Sequence, residues 1–287
     1  MKRLISTGLA ILCLLTLFPS VAVAQRSEIG LLAGGSFYLG DINPKRLFAQ
    51  TRPAGGLYYR YNINTRWAFR MGLTYGRIQA DDKHFNNPRN LNFRNDLFDV
   101  SAMMEVNFLN FFIGSDRQYR FTPYLTAGVA VCFSNPKGYR FNEQTDRTEW
   151  FALQPLHTEG QGLPDGPKNY SLTQFAFPFG IGLRYSISSR VSIGLEWTMR
   201  LVFSDYLDDV SGVYFDGGRL FAEYGDHAKY FGDPTDSYTP GAQRGDKNTF
   251  DWYSFAGVTV SVKLGRTREE CPAYSVSAIQ RYKRKNR

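Results

Sequence analysis

From Phe175 to Ile187 every second residue is bulky and apolar: Phe175, Phe177, Phe179, Ile181, Leu183, Tyr185 and Ile187. Between them stand Ala176, Pro178, Gly180, Gly182, Arg184 and Ser186, which are small or charged. Val191 to Phe203 repeats the pattern, with Val191, Ile193, Leu195, Trp197, Met199, Leu201 and Phe203 against Ser192, Gly194, Glu196, Thr198 and Arg200. A period of two places the two sets on opposite faces of a strand. Few soluble strands sustain such alternation this long, whereas a barrel strand crossing a bilayer needs about 9–11 residues of it.

The same pattern predicts six more strands: Glu28–Tyr38, Arg52–Asn62, Arg66–Ile78, Phe93–Phe108, Arg120–Ser134 and Asp251–Leu264. Eight is an even number, as closure of a single-chain bacterial barrel requires. The connections alternate in length. Asn62–Thr65 and Ile187–Arg190 are tight and Leu109–Tyr119 is somewhat longer, while Leu39–Thr51, Gln79–Asn92, Asn135–Tyr170 and Ser204–Phe250 are long. Outward aromatics form two bands. Tyr59, Tyr61, Trp67, Phe108, Phe121 and Tyr185 lie near the short turns; Phe37, Tyr75, Phe98, Phe133, Phe175, Phe203 and Trp252 lie near the long loops. Such bands mark the two membrane interfaces, and a secreted β-sandwich would show neither. The expected fold is all-β: an eight-stranded antiparallel up-and-down transmembrane β-barrel in the outer membrane, with long extracellular loops, short periplasmic turns and both termini periplasmic.

The first residues agree on the compartment. Lys2 and Arg3 precede an apolar run from Leu4 to Phe18, and Ala22-Val23-Ala24 supplies small residues before Gln25. Residues 1–24 read as a secretory signal peptide, residues 25–265 as the barrel and residues 266–287 as a basic periplasmic tail. Cys13 lacks the setting of a lipoprotein cysteine. Cys132 and Cys271 are no disulfide framework, and whether they pair is left open. No Cys/His cluster has metal-ligand spacing, no glycine-rich phosphate loop opens a helix, and no cofactor is expected. The formal net charge of +8 does not by itself imply nucleic acid. Lipid is the expected partner, with neither nucleic acid nor a small-molecule substrate.

The inward faces carry Arg60, Arg70, Asp99, Glu105, Arg184, Glu196, Arg200 and Lys263. An eight-stranded barrel is only wide enough to hold side chains, so these are expected to pair as a plug rather than line a pore. Two loops, Asn135–Tyr170 and Ser204–Phe250, are rich in Gly, Pro, Asp, Asn and Tyr, which favours irregular turns over helices. The histidines, His84, His157 and His227, all fall in loops. Asp81, Asp82 and His84 could imitate a rim enzyme, but solvated loop residues are the plainer reading. Arg244-Gly245-Asp246 spells an adhesion tripeptide of the kind that arises by chance in an exposed basic loop.

Ser36-Phe37-Tyr38-Leu39-Gly40-Asp41-Ile42-Asn43-Pro44 closes the first strand, and Arg52-Pro53-Ala54-Gly55-Gly56-Leu57-Tyr58-Tyr59-Arg60-Tyr61-Asn62 opens the second. Gly40 and Asn43-Pro44 suit a sharp strand exit, and Gly55-Gly56 a close backbone contact. With Arg66-Trp67-Ala68, and with Arg244-Gly245 ahead of Asp251-Trp252-Tyr253, this succession resembles the PorG family, small outer-membrane barrels of the type IX secretion system. The resemblance implies a non-enzymatic part of a secretion machine, found in some bacteria alongside gliding motility. It also implies partners in the periplasmic ring of the PorK lipoprotein and PorN. No catalytic residues carry over. Topology alone nominates Asp116 and Arg117 in the longest short-side turn, and Arg266, Arg268, Lys283, Arg284 and Lys285 in the tail, as ring contacts. The competing expectation is a stand-alone surface receptor or adhesin acting through its long loops.

Overall fold

The computed structural model describes residues 26–111, 113 and 120–264. Eight strands form a wall: β1 (Ser27–Leu39), β2 (Arg52–Asn62), β3 (Trp67–Asp81), β4 (Asn92–Asn107), β5 (Phe121–Phe133), β8 (Thr173–Ser186), β9 (Val191–Val202) and β10 (Trp252–Lys263). All pair antiparallel, in the order β3-β2-β1-β10-β9-β8-β5-β4, and β4 returns to β3 from Trp67↔Val106 to Asp81↔Asn92. The wall closes on itself and leaves no free sheet edge, which is what lets strands cross a medium that cannot hydrogen-bond to the backbone. The strands begin and end within three residues of the expected positions. The signal-peptide residues 1–24, the tail 266–287 and most of the turn Leu109–Tyr119 lie outside the described residues.

The apolar face of each strand points outward and stays uncovered. Leu31 is 60% exposed, Val129 66% and Phe175 67%, and large apolar side chains of all eight wall strands share that exposure. A soluble domain rarely presents a contiguous apolar patch of more than a few hundred Å², so a belt around the whole wall is a surface made for lipid. Phe37 departs from its expected place in the upper aromatic band. It is 1% exposed because the loop after β1 folds down the outer wall and lays Phe48 on it, ring centroids 4.6 Å apart. Phe48 itself is exposed and also faces Trp197 of β9 at 5.8 Å, so it takes over the outward position.

The inner face is polar near the short turns and becomes apolar toward the long loops, where Leu97, Ile78, Phe93, Val202 and Phe255 form a buried cluster. Cross-strand pairs of glycine and tyrosine shape the narrow interior. Tyr58 lies over Gly30, its register partner, and Tyr124 over Gly182; a Cβ on either glycine would come within 2.2 Å of the tyrosine ring.

Parts of the long loops are regular where composition predicts only irregular turns; the rest is turn and coil, as expected. β6 (Pro136–Asn142) and β7 (Arg147–Ala152) form a hairpin that extends the wall beyond β4. Short helices α1 (Asp82–Phe85), α2 (Gly217–Tyr224) and α3 (Asp226–Gly232) sit at the same end. Asp216 starts α2 by accepting from the Arg219 N–H at 2.8 Å, and Gly225, at φ +85°, turns the chain from α2 into α3. That cap and turn outweigh a glycine-rich composition once Leu220, Ala228 and Phe231 find a core to enter. The hairpin closes over α3, with Gly138 held against the Phe231 ring.

Candidate functional site

Two buried polar assemblies occupy the described residues, one inside the wall and one among the long loops. The first begins with a register conflict. Arg60 and Arg70 are direct cross-strand partners on β2 and β3, both facing inward. Two like charges placed so closely repel each other unless an anion stands between them. Glu105 from β4 does so: Arg60 donates Nε and Nη2 to it at 2.7 and 3.0 Å, and Arg70 Nη1 lies 3.1 Å from Oε1. Arg70 also bonds Glu196 of β9 through both Nη atoms, and Tyr124 donates its hydroxyl to that carboxylate at 2.6 Å.

Glu28 completes the group. It accepts from Arg60 at 3.0 Å, Asn62 at 2.6 Å and Ser261 at 2.8 Å. Arg184 stands between Glu28 and Glu105 at 3.8 and 3.9 Å, stacked on Phe111. Three arginines thus balance three glutamates. Lys263 sits half-buried at the short-turn rim, in register with Glu28, and donates to the Ile113 carbonyl at 3.4 Å. Asp99 and Arg200 form a separate pair higher up at 3.5 Å, joined by the Tyr253 hydroxyl at 2.7 Å from Asp99. Cys132, a buried free thiol, is Asp99's register partner. Expectation from sequence missed Glu28, although its parity with Gly30 and Leu32, opposite the outward Ile29 and Leu31, places it inward. Apart from Lys263 at the rim, these charges lie buried inside the wall.

The second assembly ties all four long connections together around the residues of the family resemblance. Asn43 fixes the exit from β1 by donating to the Tyr38 and Arg46 carbonyls at 2.8 and 2.9 Å. Pro44 follows it, and Gly40 passes so close to Asp251 that a Cβ would meet the carboxylate at 2.1 Å. Tyr38 donates to Asp208 and Asp251 at 2.5 and 2.9 Å. Asp41 accepts the Asp246 N–H, and its carbonyl accepts from Arg89, which also pairs with Asp82 at 3.0 Å. Gly56, facing inward, passes close to Thr74, whereas a Cβ on Gly55 would meet only the Leu32 carbonyl, at 3.5 Å.

Arg244 is the hub. It bonds Glu159 at 2.9 Å and the Asp209 and Phe231 carbonyls at 2.7 and 3.2 Å, and its own carbonyl accepts from Arg89 at 2.6 Å. The tripeptide Arg244-Gly245-Asp246 is therefore no exposed ligand: its arginine is buried and its Gly245 is pressed against Asp41. Burial pushes the carboxyls upward here: Asp41 and Asp209 to about 6 and Asp205 to about 8, with Asp208 and Asp251 also well above the usual carboxylate range.

The three residues of the rim-enzyme reading do not converge. Asp82 is buried and engaged by Arg89 and the Leu91 N–H, Asp81 caps α1 and accepts from Tyr139, and His84 is exposed. His157 stacks on Tyr224 and His227 on Phe151. Among the described residues no group of three or more His, Cys, Asp or Glu side chains is placed to hold a metal. Asp116, Arg117, Arg266, Arg268, Lys283, Arg284 and Lys285 lie outside the described residues.

A closed wall of eight antiparallel strands with an apolar exterior and a charge-filled interior is a transmembrane β-barrel of the outer-membrane type. The chain belongs to the family described as "Domain of unknown function (DUF6089)", whose model matches residues 5–153. A search of curated proteins finds no match. Among solved structures it is similar to Neisserial surface protein A, with 10% identity, 83% of this chain and 97% of that one covered, and a TM-score of 0.41. It is also similar to Ail, the attachment invasion locus protein of Yersinia pestis, in complex with the heparin analogue sucrose octasulfate (10%, 82% and 96%, 0.38). A third likeness is to OprG of Pseudomonas aeruginosa (9%, 84% and 99%, 0.35). At such identities and scores these likenesses are no guide to what the chain binds.

Proposed function

We propose that this barrel is a non-enzymatic outer-membrane component of a type IX protein secretion apparatus, anchoring a periplasmic ring of the PorK and PorN kind to the membrane. The observation that carries the reading is the filled lumen. With three arginines and three glutamates interlocked across it, the barrel acts through its ends rather than by conducting a solute. The long loops face the exterior and the short turns the periplasm, following the asymmetry of bacterial barrels. The PorG resemblance supplies the partner. Its residues Tyr38, Gly40, Asp41 and Asn43 all serve the loop assembly, so they bear on the outer end, while the ring would dock at the other, with Asp116, Arg117 and the basic tail as its proposed contacts.

The test is a pull-down from detergent-solubilised membranes, with the full chain and with a form lacking residues 266–287. Ring proteins should copurify with the full chain and be depleted without the tail. Recovery of no periplasmic protein with either form contradicts the reading. The alternative, a surface receptor or adhesin, draws on the ordered loop assembly and its exposed Phe141 and Phe221. It predicts ligand recovery that is indifferent to the tail.

A further inference from the structure

Just beyond the aromatic band at the long-loop end, the outer wall turns from apolar to cationic. Outward on β3, Tyr75 is followed by Arg77 and then Gln79; outward on β4, Phe98 gives way to Asp96 and Arg94. β6 continues the same face and sets Lys137 in register with Arg94, so two cations stand directly opposite each other. Such a pair is unfavourable unless an anion joins it. The nearby carboxylate is already committed. Asp96 accepts Arg77 Nε at 2.6 Å and the Tyr75 hydroxyl at 3.0 Å. Arg94 feels the Asp96 charge but makes no ion pair with it; its guanidinium carbon packs over Trp150, 3.9 Å from the ring centre, and its buried Nε has no hydrogen-bond partner. Arg52, Tyr75, Arg77, Gln79, Arg94 and Trp150 line a cleft of about 420 Å³ at this spot.

Depth identifies the occupant. Each strand residue rises about 3.3 Å along a strand tilted by about 40°, so Arg77 stands about 5 Å beyond Tyr75 along the barrel axis, at the layer of lipid headgroups rather than of acyl chains. Directly below, Tyr75 and Phe98 are 49% and 44% exposed on the apolar wall. A cation pair above an apolar wall suits an amphiphile with an anionic head. A soluble anion would make no use of the lower half.

We propose that the cationic face made by this cleft and by Lys137, which stands beside it in register with Arg94, binds the phosphate of a phosphorylated lipid in the leaflet at the long-loop end, held chiefly by Arg94 and Lys137 with Arg77 and Arg52 at the margin. Trp150 packs against the Arg94 guanidinium and restrains the side chain at the edge of the cleft. The site needs the barrel to stand in a bilayer but not the secretion role.

The experiment is native mass spectrometry of the full chain in non-ionic detergent, titrated with lipid A as probe. Its arms are the same lipid after enzymatic dephosphorylation and inorganic phosphate as competitor. Removing one cation should weaken retention of the phosphorylated lipid by about fivefold, and Arg94→Gln with Lys137→Gln by about thirtyfold. The dephosphorylated lipid should bind no better to the wild type than to the double variant. Inorganic phosphate at equal concentration should displace nothing. Equal retention by a double variant that keeps its heat-modifiability overturns the proposal, as does displacement by free phosphate. Should the double variant not fold, Lys137→Gln alone reads the same fivefold step, and its absence is equally decisive.

Discussion

Arg60 and Glu105 meet inside the barrel through two parallel hydrogen bonds, Nε to Oε2 at 2.7 Å and Nη2 to Oε1 at 3.0 Å, with both side chains sealed from solvent. The same carboxylate separates Arg60 from Arg70, its like-charged register partner. Glu105→Ala leaves the two arginines facing each other with no anion between them, although Arg60 keeps Glu28 and Arg70 keeps Glu196. A loss of about 3–5 kcal/mol is expected. Heat-modifiability on gels should shift to lower temperature while the fraction inserted in the membrane stays the same. An unchanged transition contradicts the pairing.

Tyr124 crosses the lumen over Gly182 to reach Glu196. Gly182→Ala drives a methyl group into that ring and breaks the reach, so denaturant unfolding from lipid vesicles should show a loss of about 1–3 kcal/mol. Gly55→Ala is the control, since its added methyl would come no closer than 3.5 Å to any atom. Equal behaviour of the two variants contradicts the account of the narrow interior.

Arg244→Ala strips Glu159 of its buried counter-charge and leaves the Asp209 and Phe231 carbonyls without their donor. The loops should loosen without the wall. Limited proteolysis of whole cells or vesicles should cut within residues 205–250 at least tenfold faster, a free-energy change of only about 1.4 kcal/mol, while heat-modifiability of the barrel holds. Unchanged cleavage contradicts the role of Arg244 as hub.

The raised carboxyls of the loops make this assembly sensitive to pH. A carboxyl that holds its proton more tightly when folded stabilises fully below its ordinary value, and the contribution is lost as pH rises through the folded value. For Asp41 and Asp209 that window runs from 3.8 to about 6, and for Asp205 from 3.8 to about 8. Burial is the first cause in each case. Hydrogen exchange of residues 205–213, corrected for intrinsic rate, should therefore be slower at pH 5 than at pH 8.5. Equal protection at both contradicts the assignment.

The wall was legible because one physical rule governs each of its strands. Phe175 to Ile187 and Val191 to Phe203 announce their two faces residue by residue, and the structure pairs them as β8 and β9 with Ser186 opposite Ser192. Glu28 was harder to see, since β1 alternates Gly30 and Gly34 with modest side chains and its acidic end looks like a strand margin. The loops were misjudged for a different reason. α2 and α3 depend on one aspartate cap, one left-handed glycine and burial against the β6–β7 hairpin, none of which local composition reports. Arg244 followed the same course: a triplet that looks exposed in one dimension becomes buried when four distant connections meet on it. Phe37 was placed by its parity correctly on the outer side, but the loop that covers it comes from eleven residues away, with Phe48.

Lipid, not protein, covers the apolar belt of Leu31, Val129, Phe175 and their neighbours. Sedimentation velocity of the purified chain, with and without detergent, decides this. A single species in detergent that collapses into aggregates when detergent is withdrawn, and recovers on transfer to lipid nanodiscs, is the predicted result. A monodisperse monomer in plain buffer would contradict it.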